Sequence, residues 1–214
     1  MIRFSFPDGR AEVLVTEKED GDLRGASKRE LQSLVERSLG ASDLLLLDQI
    51  HSAIVVSAAD AGTQLQQGDA LVGAGCFALG VMTADCVPIV LVDAVGTVAT
   101  VHAGWRGLIG GVIEAAARHL GGGVQAYVGP HIRSCCYEFK GLERARIEQR
   151  FSGCFEGDNL SLDAALIQTF APIGVTIAGG SEECTRCSGR FFSYRGGNLR
   201  ERFLTAARSG DRWR

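Results

Sequence analysis

The sequence predicts an α/β domain, and three observations carry that expectation. Residues 81–107, VMTADCVPIVLVDAVGTVATVHAGWRG, read as two neighbouring strands that run into a helix. Elsewhere, short apolar runs bounded by glycine, proline and aspartate alternate with segments of helical period. The 214 residues contain no linker, repeat or low-complexity tract, so residues 1–214 are expected to form a single domain of a size that one α/β unit reaches.

The central stretch sets the rest. Residues 87–92 are a continuous apolar run, residues 93–96 supply turn chemistry, and residues 97–101 are β-branched and alternating enough to return as a paired strand. Cys86 precedes the outgoing strand and His102 follows the returning one, so the hairpin brings both to the same end of the sheet. Gly104 permits a tight turn. Leu108, Ile109, Val112, Ile113, Ala116, Ala117 and Leu120 then recur at helical spacing, which predicts one helix from about residue 108 with Arg106 near its N-terminus, stopped by three glycines at 121–123.

The other elements follow in order. Residues 2–6 and 11–16, parted by Pro7, Asp8 and Gly9, predict an opening hairpin, and residues 17–25 a polar loop. Ser27 with Glu30 matches a capping box for a helix through about Leu39, ended by Gly40. Apolar runs at 44–47 and 54–56 flank His51, residues 64–69 are polar and turn-rich, and residues 70–72 and 77–82 are strand-like. Residues 124–128 and 175–178 predict further strands, residues 141–151 and 161–170 helices, the latter with a Ser161 cap. The tail to Arg214 carries no decisive period.

Composition narrows the function classes. A hydrophobic share of 46% against 22% charged is that of a globular chain, and a formal charge of −3 without a basic cluster argues against a nucleic-acid partner. No apolar run approaches the roughly 20 residues that span a bilayer, and no charged-then-apolar leader opens the sequence, so the expectation is a cytoplasmic protein with a small-molecule substrate and no membrane partner. Seven cysteines then read as free or metal-bound rather than paired. Cys184 and Cys187 form a CxxC, but Cys135 and Cys136 are adjacent and poorly spaced to complete a structural zinc site. Of the four histidines, His51 and His102 sit near Cys86 in this layout, His119 ends a helix and His131 follows Gly129-Pro130 in a loop.

DQIHSAIV, TADCVPIVLVD, HAGWRG, GPHIRSCCYEF and CTRCSGRFFSYR occur in this order. Together, over about residues 44–195, they resemble the family long labelled multicopper polyphenol oxidoreductase or laccase-domain proteins, more recently assigned as purine nucleoside phosphorylases with adenosine deaminase activity and also linked to peptidoglycan editing. The resemblance implies central mixed β-sheets flanked by helices, a layered sandwich like the catalytic domain of the cytotoxic necrotising toxins. It implies zinc held by His51, Cys86 and His102, and a purine nucleoside (adenosine, inosine, guanosine or methylthioadenosine) and phosphate as partners. Two histidines and one cysteine also suit a catalytic zinc on chemical grounds, since a tetrahedral ion keeps its fourth position for water. Its Lewis acidity draws the pKa of water toward about 7, which suits attack at C6 of adenine with loss of ammonia.

Asp85, beside the cysteine, is the candidate for moving a proton or fixing a ligand's orientation, against the plainer reading of a strand-end carboxylate capping backbone. Arg106, near a helix N-terminus, is the candidate phosphate group, with Arg190 and Arg195 behind it. The chain departs from the family at Ser52, where a glycine is usual, which is expected to narrow the pocket. His131 and Arg133 are expected as new polar groups near the site, SYRGG replaces SYRRD after Arg195, and the usual N-terminal signatures are missing.

Three other readings compete. A copper centre could add Met82 as a weak axial group, but four histidines are too few for several coppers. A thiol hydrolase would use Cys86 as nucleophile and His102 as base, and His51 discriminates because a dyad does not need it. A binding module without catalysis leaves the gathering of polar ligands at a sheet end without a function to offset its cost.

Overall fold

The computed structural model describes residues 1–61 and 65–210; Gln64, which opens the predicted polar stretch, and the end of the tail, 211–214, lie outside the described residues. The strands are β1 (Ile2–Ser5), β2 (Ala11–Val15), β3 (Leu44–Leu45), β4 (Val55–Ser57), β5 (Ala70–Gly73), β6 (Ala78–Thr83), β7 (Val87–Val92), β8 (Val98–Ala103), β9 (Gln125–Val128), β10 (Phe155–Glu156), β11 (Asn159–Leu160), β12 (Thr176–Gly180) and β13 (Phe203–Ser209). The helices are α1 (Lys28–Leu39), α2 (Trp105–Gly110), α3 (Val112–Ala117), α4 (Glu143–Arg150) and α5 (Leu162–Phe170).

Two mixed sheets form, in the orders β1-β2-β13-β6-β3 and β12-β9-β7-β8-β5-β4. Their facing surfaces share one apolar layer, in which Leu71, Val90, Val92, Val98 and Tyr127 meet Val13, Val15, Leu79, Phe203 and Ala207. The outer face of the six-stranded sheet presents Ile89, Leu91, Ala99 and Val101 to Leu108, Val112 and Ile113 of α2 and α3 and to Ala165 and Leu166 of α5. The outer face of the other sheet is covered by α1, whose Leu31, Val35 and Leu39 pack on Leu14, Leu204 and Ala206. The result is a four-layered sandwich, helix, sheet, sheet, helix. Strands covered on both faces cannot alternate apolar and polar, and β7, β8 and β13 are buried at every position.

The capping box at α1 is complete. Ser27 Oγ accepts from the Glu30 N–H at 3.3 Å, Glu30 accepts from the Ser27 N–H at 2.7 Å, and Gly40 ends the helix in the left-handed region. The opening and central hairpins form as the patterns predict, the latter pairing Pro88 with His102. Two segments differ from the sequence-based expectation. The helix predicted from residue 108 instead begins at Trp105 and is broken into α2 and α3 at Gly111, whose φ of 80° has no place in a right-handed helix. The undecided tail is a central strand, β13, held between β2 and β6. Among the described residues, no helix is long and apolar enough to cross a membrane.

Candidate metal centre and its cavity

The ends of β5, β7 and β8 converge. Cys86 immediately precedes β7, His102 lies near the end of β8, and Asp69 immediately precedes β5, beside His102 in the β5–β8 ladder. The His102 N–H donates to the Asp69 carbonyl at 2.8 Å, which fixes the two side by side. The third group arrives on a loop. Residues 50–52 wrap around the buried Asp69 carboxylate, which accepts from the N–H groups of Ile50 (3.3 Å), His51 (3.0 Å) and Ser52 (2.6 Å). A run of convergent backbone donors is an anion nest, and here the anion belongs to the chain itself. To make the turn, His51 adopts φ 60°; Asp85, next to Cys86, adopts φ 89°. Non-glycine residues in that region are uncommon and are held there by their surroundings.

The nest leaves the three predicted ligands facing one point. One donor atom each of His51, Cys86 and His102 lies within 4.8 Å of the others, with Cys86 Sγ 3.8 Å from His51 Nε2. The His51 and His102 rings meet edge to face at a centroid separation of 4.7 Å. Asp69 Oδ1 sits 2.8 Å from His102 Nδ1, so the proton belongs on Nδ1 and the lone pair of Nε2 is free. Gly104 closes the group. A Cβ there would come within 2.9 Å of Cys86 Sγ and 3.0 Å of His51 Cδ2, so the close approach requires glycine. This set of donors, oriented and ringed by a glycine that leaves it room, fits a zinc ion with an open position.

Electrostatics agree. Burial opposes charge on Cys86, but His102 and then His51 outweigh it and bring the thiol down to about 6. Burial likewise opposes charge on His102, and the Cys86 thiolate and Asp69 raise it to about 9. Burial would lift the Asp69 carboxyl, yet its bonds from His102 and Ser52 hold it down at about 2. The protein groups alone therefore keep two anions around one imidazole, a setting that favours a dication once the imidazole proton leaves.

The trio opens into a cavity of about 740 Å³, lined also by Trp105, Tyr137, Tyr194, Arg24, Arg106, Arg195 and Arg202. The Arg106 guanidinium lies 4.3 Å from the centre of the Trp105 ring and that of Arg195 5.2 Å from Tyr137. Among the described residues, none of the four arginines makes an ion pair with a carboxylate. Burial and then the neighbouring Arg24 charge lower the Arg202 pKa, against the opposing pull of Cys86, Asp22 and Asp85. A cavity so lined is suited to an anion.

The sequence-predicted residues fall into two groups. His51, Asp85, Cys86, His102, Arg106 and Arg195 all line the cavity. The carboxylate of Asp85 accepts from Thr185 Oγ1 at 2.6 Å and from the Arg195 N–H at 2.7 Å, and its carbonyl accepts from the Ile132 N–H at 3.0 Å, so it clasps three loops. Arg190 stands outside, bound to Glu17 and Glu183. Two expectations are corrected. His131 and Arg133 do not line the cavity: His131 is buried, its Nδ1–H donating to the Gly129 carbonyl at 2.9 Å, and Arg133 binds Asp163 and the Ser181 carbonyl. Ser52 does not narrow the pocket, because its hydroxyl turns away to donate to Asp69 at 2.7 Å. Sequence reasoning missed Asp69, Arg24 and Arg202; the one available signal for Asp69 was a carboxylate directly before a buried strand.

Since Ser52 adds a hydroxyl to the carboxylate that orients His102, Ser52→Ala is expected to reduce metal affinity about fivefold, the loss of one hydrogen bond of about 1 kcal/mol. Competition with a chromophoric chelator measures it, and an unchanged affinity would remove Ser52 from the network.

A four-layered α/β sandwich with a His–Cys–His group at the end of one sheet defines the class of protein. The chain belongs to the family described as multi-copper polyphenol oxidoreductase laccase, whose model matches residues 14–206. It is 32% identical to a purine nucleoside phosphorylase of Aquifex aeolicus over 78% of this chain and 83% of the relative. It is 37% identical to a purine nucleoside phosphorylase of Pseudomonas aeruginosa over 74% and 71%. The crystal structure of a Neisseria meningitidis protein superimposes with a TM-score of 0.88, at 28% identity, over 98% of each chain.

Proposed function

We propose that the chain is a zinc-dependent enzyme of purine nucleosides, which cleaves them with phosphate and also deaminates adenosine, with His51, Cys86 and His102 as the metal ligands. One observation carries this reading: a three-donor group and four arginines whose guanidinium groups form no ion pair among the described residues share one cavity of about 740 Å³, a volume in the usual range for small-molecule sites. The names of the relatives, purine nucleoside phosphorylases, support the same substrates.

When bound, zinc supplies Lewis acidity, which draws the pKa of water toward about 7. The chain's own groups do the rest. Asp69 keeps the proton of His102 on Nδ1. Trp105, Tyr137 and Tyr194 offer flat faces to a purine, and the guanidinium groups of Arg24, Arg106 and Arg202 neutralise phosphate. In phosphorolysis a phosphate oxygen bonds to C1′ of the ribose as the bond from C1′ to the base breaks, and the base leaves with the electron pair and takes up a proton. In deamination water adds at C6 and ammonia departs. Asp85, with its carboxylate engaged by Thr185 and Arg195, acts as a positioning residue for the loop that carries Arg195.

The copper of the family description suits this chain less well than zinc. His119 is exposed on the surface and His131 is engaged with Gly129, which leaves His51 and His102 as the imidazole donors, enough for one centre and not for several coppers. A Cys–His hydrolase is favoured by one feature, the order Asp69, His102, Cys86, which is that of a nucleophilic triad. His51, 3.8 Å from the thiol, speaks for the metal.

Arg106→Gln is expected to raise the phosphate KM about tenfold with a smaller fall in kcat, since it removes a charge that contacts the anion rather than the reacting carbon. Steady-state phosphorolysis at varied phosphate tests this. An unchanged KM would exclude Arg106 from the phosphate site.

A further inference from the structure

Outside the cavity, the structure gathers a second set of donors. We propose that Cys135, Cys136, Cys184 and Cys187 bind a zinc ion of their own, a structural one distinct from the ion at His51, Cys86 and His102. The four sulfurs all lie within 4.8 Å of one another, with Cys135 and Cys136 at 3.5 and 3.0 Å from Cys187. A zinc–sulfur bond of about 2.3 Å in tetrahedral geometry separates neighbouring sulfurs by about 3.8 Å, so the cluster needs only small side-chain shifts. None of the four lines the cavity.

The spacing objection from sequence fails for a local reason. Residues 134–136 form a turn closed by the N–H groups of Cys136 and Tyr137 on the Arg133 carbonyl, at 2.9 and 3.0 Å. Side chains in a helical turn succeed one another by about 100°, so two adjacent cysteines can flank one point. The CxxC turn supplies the other pair, and its Cys184 sulfur accepts backbone N–H groups from Arg133, at 3.4 Å, and from Arg186 and Cys187. Backbone donors aimed at a sulfur stabilise a thiolate ligand. Binding exchanges four thiol protons for one Zn²⁺ and leaves a unit of charge −2, beside which Arg186 sits, its guanidinium on the Cys136 carbonyl at 3.4 Å. Four thiolates fill the tetrahedron, so the ion has no open position and its role is structural.

What it would hold is the far wall of the cavity. The two turns lie next to each other, joined by a bridge between His131 and Cys184. Thr185, inside the CxxC, and Ile132 both bond Asp85, and Tyr137, one residue after Cys136, lines the cavity. A single Cys136–Cys187 disulfide is the rival, and it would leave Cys135 and the buried Cys184 without partners.

Elemental analysis of anaerobically purified protein tests the proposal. Two zinc ions per chain are expected, falling to one in Cys136→Ser/Cys187→Ser and also to one in His51→Ala. In case the double variant does not fold, the wild-type protein reconstituted with Co²⁺ is expected to show the intense visible bands of a tetrahedral four-thiolate site. No more than one zinc per chain together with a cobalt spectrum lacking those bands would overturn the proposal, as would a Cys136–Cys187 disulfide in the non-reducing peptide map.

Discussion

Asp69→Asn is expected to cost about 3 kcal/mol of stability and to lower kcat/KM about 100-fold. The carboxylate accepts from three consecutive N–H groups, the Ser52 hydroxyl and His102. An amide has one acceptor oxygen, and its NH₂ would face donors in a site that excludes water, so donors that bonded an anion are left unmet. The loop that carries His51 loses its anchor, and the His102 tautomer is no longer fixed; removing such a partner of a metal ligand typically costs 10–100-fold. Thermal unfolding should shift down by about 10 °C for a chain of this size. A variant that melts with the parent and retains activity within about twofold would show that the nest is incidental.

His51→Ala is expected to lower kcat/KM by at least about 1,000-fold, or about 4 kcal/mol of transition-state stabilisation, while the fold survives. His51 is exposed, on a loop that Asp69 still holds through the backbone. Its removal leaves Cys86 and His102 as a two-donor site, too few to retain zinc firmly. The outcome separates the metal enzyme from the thiol hydrolase. A Cys86–His102 dyad would keep its nucleophile and base, and hydrolysis of an amide would continue; metal-dependent nucleoside turnover would stop. Zinc measured on the same sample links the two losses, and retention of the full metal content would contradict the ligand assignment.

Much of this was legible because the signals were local. Cys86 and His102 flank a hairpin whose turn and apolar runs fix its register, and Ser27 and Glu30 announce a helix start within four residues. The unread parts depend on long-range packing. Asp69 meets His102 across the β5–β8 ladder, and no pattern around residue 69 marks a carboxylate that will be enclosed by backbone donors. Arg24 and Arg202 come from opposite ends of the chain, and both turn about Asp22, which accepts from their N–H groups at 3.0 and 2.9 Å. Cys187 lies 52 and 51 residues beyond Cys135 and Cys136, and the spacing of the four misleads unless the turn at 134–136 is known. The β13 segment has no alternation to detect because layers cover both its faces.

The measurement that tests the central claim most directly is product analysis after incubation of zinc-loaded protein with adenosine, with and without phosphate. Inosine formed without phosphate, and free base with ribose 1-phosphate formed only when phosphate is present, are the predicted results. Zinc-loaded protein that yields none of these products under either condition would contradict the nucleoside assignment and favour the Cys86–His102 hydrolase.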